Sequence, residues 1–569
     1  MALAQIAGGG TSERSDDMRV RALIAGAGLA VLGTLLVIFP VGLLAQNAGQ
    51  DSGQNLESSD QNTIRGTVVN AVTHLPIARA LVHSADDRYA LMSDSDGHFE
   101  FTSAPGAQVF LLARKPGFLG DRNLGSAVQA SSGREITIAL TPESVIKGRV
   151  SISTGDGIGG IQVQLLARHV RDGLARWTPA GLTQTKSDGT FRFADLNSGS
   201  YKIMTQESMD NDPVVNVAGG PSYGFPPEFF PAAMDFSDAG TIELAAGQTF
   251  EASLTIAEQP YYAVKIPVAN GEMNGNMDVR VMPQGQHGPG YSLGYNAGTH
   301  KIEGLLPNGD YTVEAFSYGQ DSASGQVNLR VAGAAAEGSA LTLGRNSSLT
   351  LEVKEEFTRT QEVVRCGGEV QRAGCTRGPG AYLDPMLEPV DEFEAFGGGA
   401  VRPQNNPNDN SLVMENVLPG RYWLRLSSSR GYVAAATFGG IDLLHEPFEV
   451  GTGANIPVEI TMRDDTATLD GTVTGGTSQS PQIPQGWVYC VPIDDSPGHY
   501  QESVAGLDGK FTFPEIAAGT YRVMAFASAK AEIPYRDPEA MRAYESRGQV
   551  VQLAAGQSAS VQLQVIPDE

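Results

Sequence analysis

One phrase returns four times along this chain: an aliphatic residue, two spacers, Gly, one spacer, Tyr. It reads Leu196-x-x-Gly199-x-Tyr201, Leu306-x-x-Gly309-x-Tyr311, Val417-x-x-Gly420-x-Tyr422 and Ile516-x-x-Gly519-x-Tyr521. The Gly-to-Gly intervals are 110, 111 and 99 residues. Solenoid units return every 20–50 residues or so, whereas an interval near 100 suits a domain that buries its own core. The period therefore predicts a string of similarly built modules.

A second phrase, Asp-Gly-x-Phe-x-Phe, stands at 96–101, 188–193 and 508–513. Asp-Gly makes a tight turn because Gly takes positive φ without steric cost. The two Phe then share one face of a strand and the residue between them faces the other way. In the second and third copies the Gly–Tyr phrase follows at once, which predicts a hairpin: inward aromatics, a Gly turn, then Tyr201-Lys202-Ile203 or Tyr521-Arg522-Val523. Tyr at such a position buries its ring and keeps a hydroxyl to pair at the rim. With 68 Gly and 32 Pro in 569 residues, many turns join short strands. The expected fold class is all-β, a tandem array of about five antiparallel β-sandwich domains at 62–141, 142–257, 258–345, 346–464 and 465–569. The one good helix signal is Asp537 as N-cap with Pro538 at the first helical position, inserted in the last domain.

Ahead of the array, residues 22–45 form an uncharged apolar stretch. It is long enough to span a bilayer as one N-terminal transmembrane helix. It also suits a long signal peptide ending at Leu43-Leu44-Ala45. Arg19 and Arg21 precede it and Asp51, Glu57 and Asp60 follow. This asymmetry leaves residues 1–21 cytoplasmic and exports everything after 45, with 46–61 as a polar linker. The chain carries 39 basic and 64 acidic residues, a net charge of −25, which repels phosphate backbones and argues against nucleic acid as a partner. Three cysteines rule out a disulfide framework. Cys366 and Cys375 are spaced for a loop staple, and Cys490 reads as a buried thiol in a strand.

Gly66-Thr67-Val68, Pro76-Ile77-x-x-Ala80 and the Asp-Gly-x-Phe-x-Phe phrase, in that order, resemble the carboxypeptidase regulatory-like domain. The resemblance implies a transthyretin-like (prealbumin-like) sandwich, grouped with carbohydrate-binding-like folds. It is best in 62–141, partial in the second and fifth domains and weak in the third and fourth. The layout, with Ile533-Pro534-Tyr535-Arg536-Asp537-Pro538 running into Tyr544-Glu545-Ser546-Arg547-Gly548, also resembles large exported repeat proteins of acidobacteria. That likeness implies a surface or periplasmic protein without known catalysis and names no ligand.

No residue cluster announces a reaction, and no cofactor or metal is expected. His300-x-x-Glu303 satisfies a zinc-ligand spacing, but on an alternating strand residues three apart point to opposite faces. Asp94-Ser95-Asp96-Gly97 lacks the later ligands of a calcium loop and reads as a turn. The most unusual stretch is 221–231, where Tyr223, Phe225, Phe229 and Phe230 crowd among prolines. Flat aromatic faces suit stacking on sugar rings or on a partner protein. They equally suit a loop that seals its own sandwich or a domain junction. Trp177, on an inserted hairpin, and Trp423, outward beside Tyr422, carry the same two readings. The functional expectation is a non-enzymatic, membrane-tethered binding or adhesion scaffold, with carbohydrate the ligand class that the fold resemblance alone implies. The alternative is a structural partner of another cell-envelope protein.

Overall fold

The computed structural model describes residues 63–566 except 103–108, 120–126, 134, 172, 211–221, 270–276, 287–289, 318–321, 360–377, 394–398, 405, 407–408, 454, 476–485, 494–499, 507, 528 and 531–532. The apolar stretch 22–45, the linker 46–61, and Cys366 and Cys375 lie outside the described residues. Among those described, no helix is long and apolar enough to cross a membrane.

The regular secondary structure among the described residues is nearly all strand. Five separate apolar cores follow one another along the chain, built around Val68, Ile146, Ile266, Leu351 and Leu469. Four of the units repeat one plan: the first strand pairs antiparallel on one side and parallel to the unit's last strand on the other. In the third, Gln259–Ala269 instead runs parallel to two short segments, Ala336–Glu337 and Leu341–Thr342. In the second unit Ser144–Ser151 lies between Thr190–Leu196 and Thr249–Thr255. In the fourth, Ser347–Glu356 lies between Leu412–Val417 and Asn455–Arg463. Parallel first and last strands mean that the chain leaves a unit at the end opposite its entry, so units can follow one another without a return loop. The register also explains the Phe pairs. Phe99, Phe191 and Phe511 each stand opposite a first-strand glycine, Gly66, Gly148 and Gly471, so the ring can lie flat where a side chain would stand.

The repeated Gly–Tyr phrase is not a hairpin. Thr190–Leu196 pairs with Ser144–Ser151 in one sheet, whereas Gly199–Thr205 pairs with Gln162–Arg171 in the facing sheet. The same crossing separates Lys301–Pro307 from Gly309–Ser317, and Leu412–Val417 from Gly420–Ser428. The phrase is the corner at which the chain changes sheets. Inward Phe and Tyr meet across one core, which a hairpin within a single sheet would not require. At every corner the Tyr hydroxyl donates to the backbone carbonyl four residues upstream: Tyr201 to Asn197 at 2.9 Å, Tyr311 to Pro307 at 2.9 Å, Tyr422 to Leu418 at 3.0 Å and Tyr521 to Ala517 at 2.8 Å. This is the tyrosine-corner device of sandwich folds. At two corners the ring folds back over the glycine: a Cβ on Gly309 would stand 2.9 Å from the Tyr311 ring and one on Gly420 3.1 Å from that of Tyr422.

Two other readings shift. His300 has φ +52° and precedes strand Lys301–Pro307 instead of lying on it. Its Nδ1 is 3.1 Å from the Tyr295 hydroxyl, while Glu303 accepts from Asn296. Among the described residues no group of His, Cys, Asp or Glu could hold a metal ion. At 94–97, Asp94 Oδ1 accepts from the backbone N–H of Asp96 and His98, an Asx-type turn. The last-unit helix forms at Pro538–Met541, and Asp537 caps Glu539 and Ala540. Cys490 is fully buried in strand Trp487–Ile493, and burial pushes its thiol up to about 12.

Just past the fourth unit's last strand stands Asp464, whose side chain is only 7% exposed and bonds back within the same unit. It accepts from the Thr358 N–H at 2.6 Å, the Thr358 hydroxyl at 2.8 Å and Arg430 Nη2 at 2.6 Å. Burial alone would raise its pKa, but the Thr358 and Arg430 donors outweigh burial and hold it at about 2. A folded pKa below the unfolded value of about 3.9 stabilises the protein above the unfolded value and loses that stabilisation as pH falls through the folded one. Stability of the fourth unit is therefore expected to drop between about pH 4 and pH 2, and Asp464→Asn should flatten that drop. Hydrogen exchange of strand Asn455–Arg463 across that range reads it, and an unchanged acid profile in the variant refutes the assignment.

Candidate functional site: the junction around Trp177

The second unit carries a long hairpin, Gln162–Arg171 with Leu174–Gln184. Its outward face is apolar and draws cover from elsewhere. Trp177 packs edge-on to Phe236 at 6.0 Å between ring centroids, and Phe236 packs on both Phe229 at 5.9 Å and Phe393 at 5.6 Å. Leu166, Met204 and Ala239 complete this second apolar cluster. Phe393 belongs to the fourth unit, so the cluster joins two units that are not neighbours in sequence. Backbone bonds reinforce it: the Trp177 N–H donates to the Glu392 carbonyl at 2.9 Å, and residues 177 and 393 form a parallel β-bridge. Arg176 Nη1 donates to the Asp391 carbonyl at 2.6 Å.

Charge follows the same seam. The Glu388 carboxylate is mostly buried and lies 3.6 Å from both Arg171 and Arg425. Two guanidinium groups offset the cost of withdrawing one carboxylate from water. Lys202 is buried with its Nζ 4.2 Å from the Phe236 ring centroid, 5.2 Å from that of Trp177, and donating to the Phe236 carbonyl at 2.8 Å. Burial lowers its pKa, against the opposing pull of Glu392, Asp235 and Asp238. At the hairpin tip the Arg536 N–H donates to the Gly173 carbonyl at 3.1 Å. Gly173 has φ +76°, and a Cβ there would stand 2.8 Å from the Tyr535 ring. The Arg536 guanidinium in turn sits 5.4 Å from the Trp423 ring centroid. One hairpin of the second unit thus reaches the fourth and fifth. The expected simple string of independent modules is corrected here: units two, four and five are fastened out of sequence.

The second and third units are also interwoven. Ser208–Met209 and Ser222–Phe225 leave the second unit and extend the third unit's sheet beside Gln259–Ala269. Glu207 Oε2 accepts from the Ser292 N–H at 3.1 Å, and burial raises its pKa.

The six aromatic residues singled out from sequence all make contacts within the chain. Trp177 is 5% exposed and Phe229 is fully buried, both in the junction cluster. Phe225 and Phe230 pack on the second core, Phe230 at 6.0 Å from Phe250. Tyr223 stands on the strand added to the third unit, opposite Pro260, and Trp423 lies against Arg536. They are not gathered into one exposed platform. Sequence reasoning missed Arg171, Gly173, Phe236, Glu388, Phe393 and Tyr535. Partners such as Arg176 and Asp391 are 215 residues apart, and no local pattern encodes such a meeting.

No family model matches the chain and no curated protein matches it. The likeness to carboxypeptidase regulatory-like domains therefore rests on the phrases quoted above. Similar solved structures include a minor pilin of Streptococcus agalactiae, at 13% identity over 34% of this chain and 95% of that one, with a TM-score of 0.18. A pilus adhesin of Lactobacillus rhamnosus GG is 10% identical over 50% and 43%, with a TM-score of 0.16. The RrgB pilus protein of Streptococcus pneumoniae is 10% identical over 75% and 98%, with a TM-score of 0.12. Likenesses this low carry neither role nor partner to this chain.

Proposed function

We propose that this chain is a non-enzymatic exported scaffold, held at a membrane by residues 22–45, whose joined sandwiches present a fixed surface to another cell-envelope protein. The supporting observation is the Trp177 junction. The large aromatic groups that a sugar platform would use are spent there on fastening units two, four and five together. A body pre-ordered in this way loses less entropy when it meets a macromolecular partner than a chain of swinging domains does. Carbohydrate binding keeps only the support of fold analogy.

Cross-linking in intact cells followed by purification of the full chain should recover one envelope protein in stoichiometric amount. A glycan array probed with the same chain should stay silent. A saturable glycan signal that Trp423→Ala abolishes, with no cross-linked partner, would replace this reading with the sugar-binding one.

A further inference from the structure

The segment that crosses from the second unit into the third carries two carboxyl groups, Glu207 and Asp210, both seated against the third sandwich. Its strand pair, Ser208–Met209 with Ser222–Phe225, extends the third sheet along 259–261. Packing there is close: a Cβ on Gly224 would stand 3.1 Å from both the Met209 sulfur and the Tyr261 ring. The Glu207 side chain turns toward the third core. Facing it are Tyr261 from strand Gln259–Ala269, Tyr311 from Gly309–Ser317, and Tyr291 from between strands. Its Oε2 accepts from the Ser292 N–H at 3.1 Å. Its Oε1 is buried beside the Tyr261 hydroxyl without the geometry of a full hydrogen bond. The Tyr311 hydroxyl is committed to the Pro307 carbonyl, and Tyr291 packs edge-on to Tyr311 at 5.3 Å between centroids.

An ionised carboxylate in that position has one N–H donor and three phenols that are uncharged at neutral pH. Among the described residues no cation acts on it. Withdrawing the ion from water with so little compensation opposes docking, and the protonated acid avoids most of that penalty. Burial accordingly raises the Glu207 pKa, against the opposing Ser292 N–H and Tyr261 hydroxyl. Three residues on, Asp210 donates its N–H to the Tyr223 carbonyl. Its carboxyl meets that of Glu258, at the entry to Gln259–Ala269, and burial together with Asp210 raises the Glu258 pKa. Both sites therefore weaken the attachment when ionised. A docked pKa above the undocked value of about 4.3 gives an attachment that is full below that value and is lost as pH rises through the docked one. Asp464 acts in the opposite sense and at lower pH.

We propose that 207–210 is an acid-closed latch between the second and third sandwiches: it seats on the third sheet when Glu207 and the Asp210–Glu258 pair hold protons, and lifts as they ionise. Ambient pH then sets whether these two units move as one body, whatever partner the chain meets. The test is hydrogen exchange on the full chain at pH 5 and pH 8, with rates corrected for their intrinsic pH dependence. Protection of Ser222–Phe225 should fall at least fivefold from pH 5 to pH 8. Thr249–Thr255 in the second unit and Ala323–Val331 in the third are the controls and should change less than twofold. In Glu207→Gln the amide imitates the protonated acid, so most of the fall should vanish and the pH 5 protection should persist at pH 8. Adding Asp210→Asn should remove the remainder. Protection in the parent chain that stays level or rises with pH overturns the latch, and so does a fall shared by the control strands. The parent profile needs no substitution, so it decides even where a variant fails to fold. A fall that persists undiminished in both variants assigns the pH dependence to other groups and overturns the proposal as well.

Discussion

Gly148→Ala is expected to dismantle the second sandwich at a cost above about 4 kcal/mol, at the far end of what single substitutions do. A Cβ on Gly148 would stand 1.5 Å from the Ala252 carbonyl oxygen and 2.7 Å from the Phe191 ring. The first contact is with backbone, so no rotamer change relieves it. The parallel ladder from Val145↔Thr249 to Ser151↔Thr255 must open instead, and the Phe191 ring loses its seat over the glycine. Gly155→Ala is the matched control. It sits at φ +88° with nothing near the added carbon, so it should cost only the left-handed penalty of roughly 1–2 kcal/mol. Several linked units will not melt as one two-state body. The readout is therefore hydrogen exchange resolved to strand Ser144–Ser151. Protection in Gly148→Ala equal to that of Gly155→Ala would show that the strands do not approach this closely.

Trp177→Ala should cost about 3–5 kcal/mol, the usual range for a large aromatic removed from a packed site. The loss should fall on two places far apart in sequence. Exchange is expected to rise in Leu174–Gln184 and also in 388–393, because Trp177 supplies both the ring against Phe236 and the lid over the bridge to Phe393. Phe393→Ala should produce a smaller version of the same pattern. The double variant should lose less than the two single losses added together, as expected for residues that share one contact. Independent losses would mean that the fourth unit rests beside the second without being fastened to it.

These two sites also mark where sequence was readable. Gly148 and Phe191 belong to phrases that recur, and recurrence with a period near 100 exposes the modules and their inward Phe and Tyr; the Asp537 cap is legible from its own Asp-Pro signal. The Gly–Tyr phrase was visible yet misjudged as a hairpin. Two strands joined by a short turn look alike in sequence whether they pair with each other or split between facing sheets. The difference lies in the partner strands 162–171 and 144–151. At the junction little could be read. Phe236 and Phe393 stand outside regular strands, and Glu388 reads as one more outward residue until Arg171 and Arg425 close on it.

Sequence by itself determined the all-β class, the size of the modules and the side chains that each turns inward. All three follow from alternation and turn chemistry within a few residues, which the backbone enforces locally. Tertiary structure alone decided where strands cross between sheets and which units touch. It also decided that Trp177 and Phe229 are buried while Phe110 stands open to solvent. Those outcomes depend on surfaces brought together from distant parts of the chain, and an apolar side chain carries no mark of what will cover it.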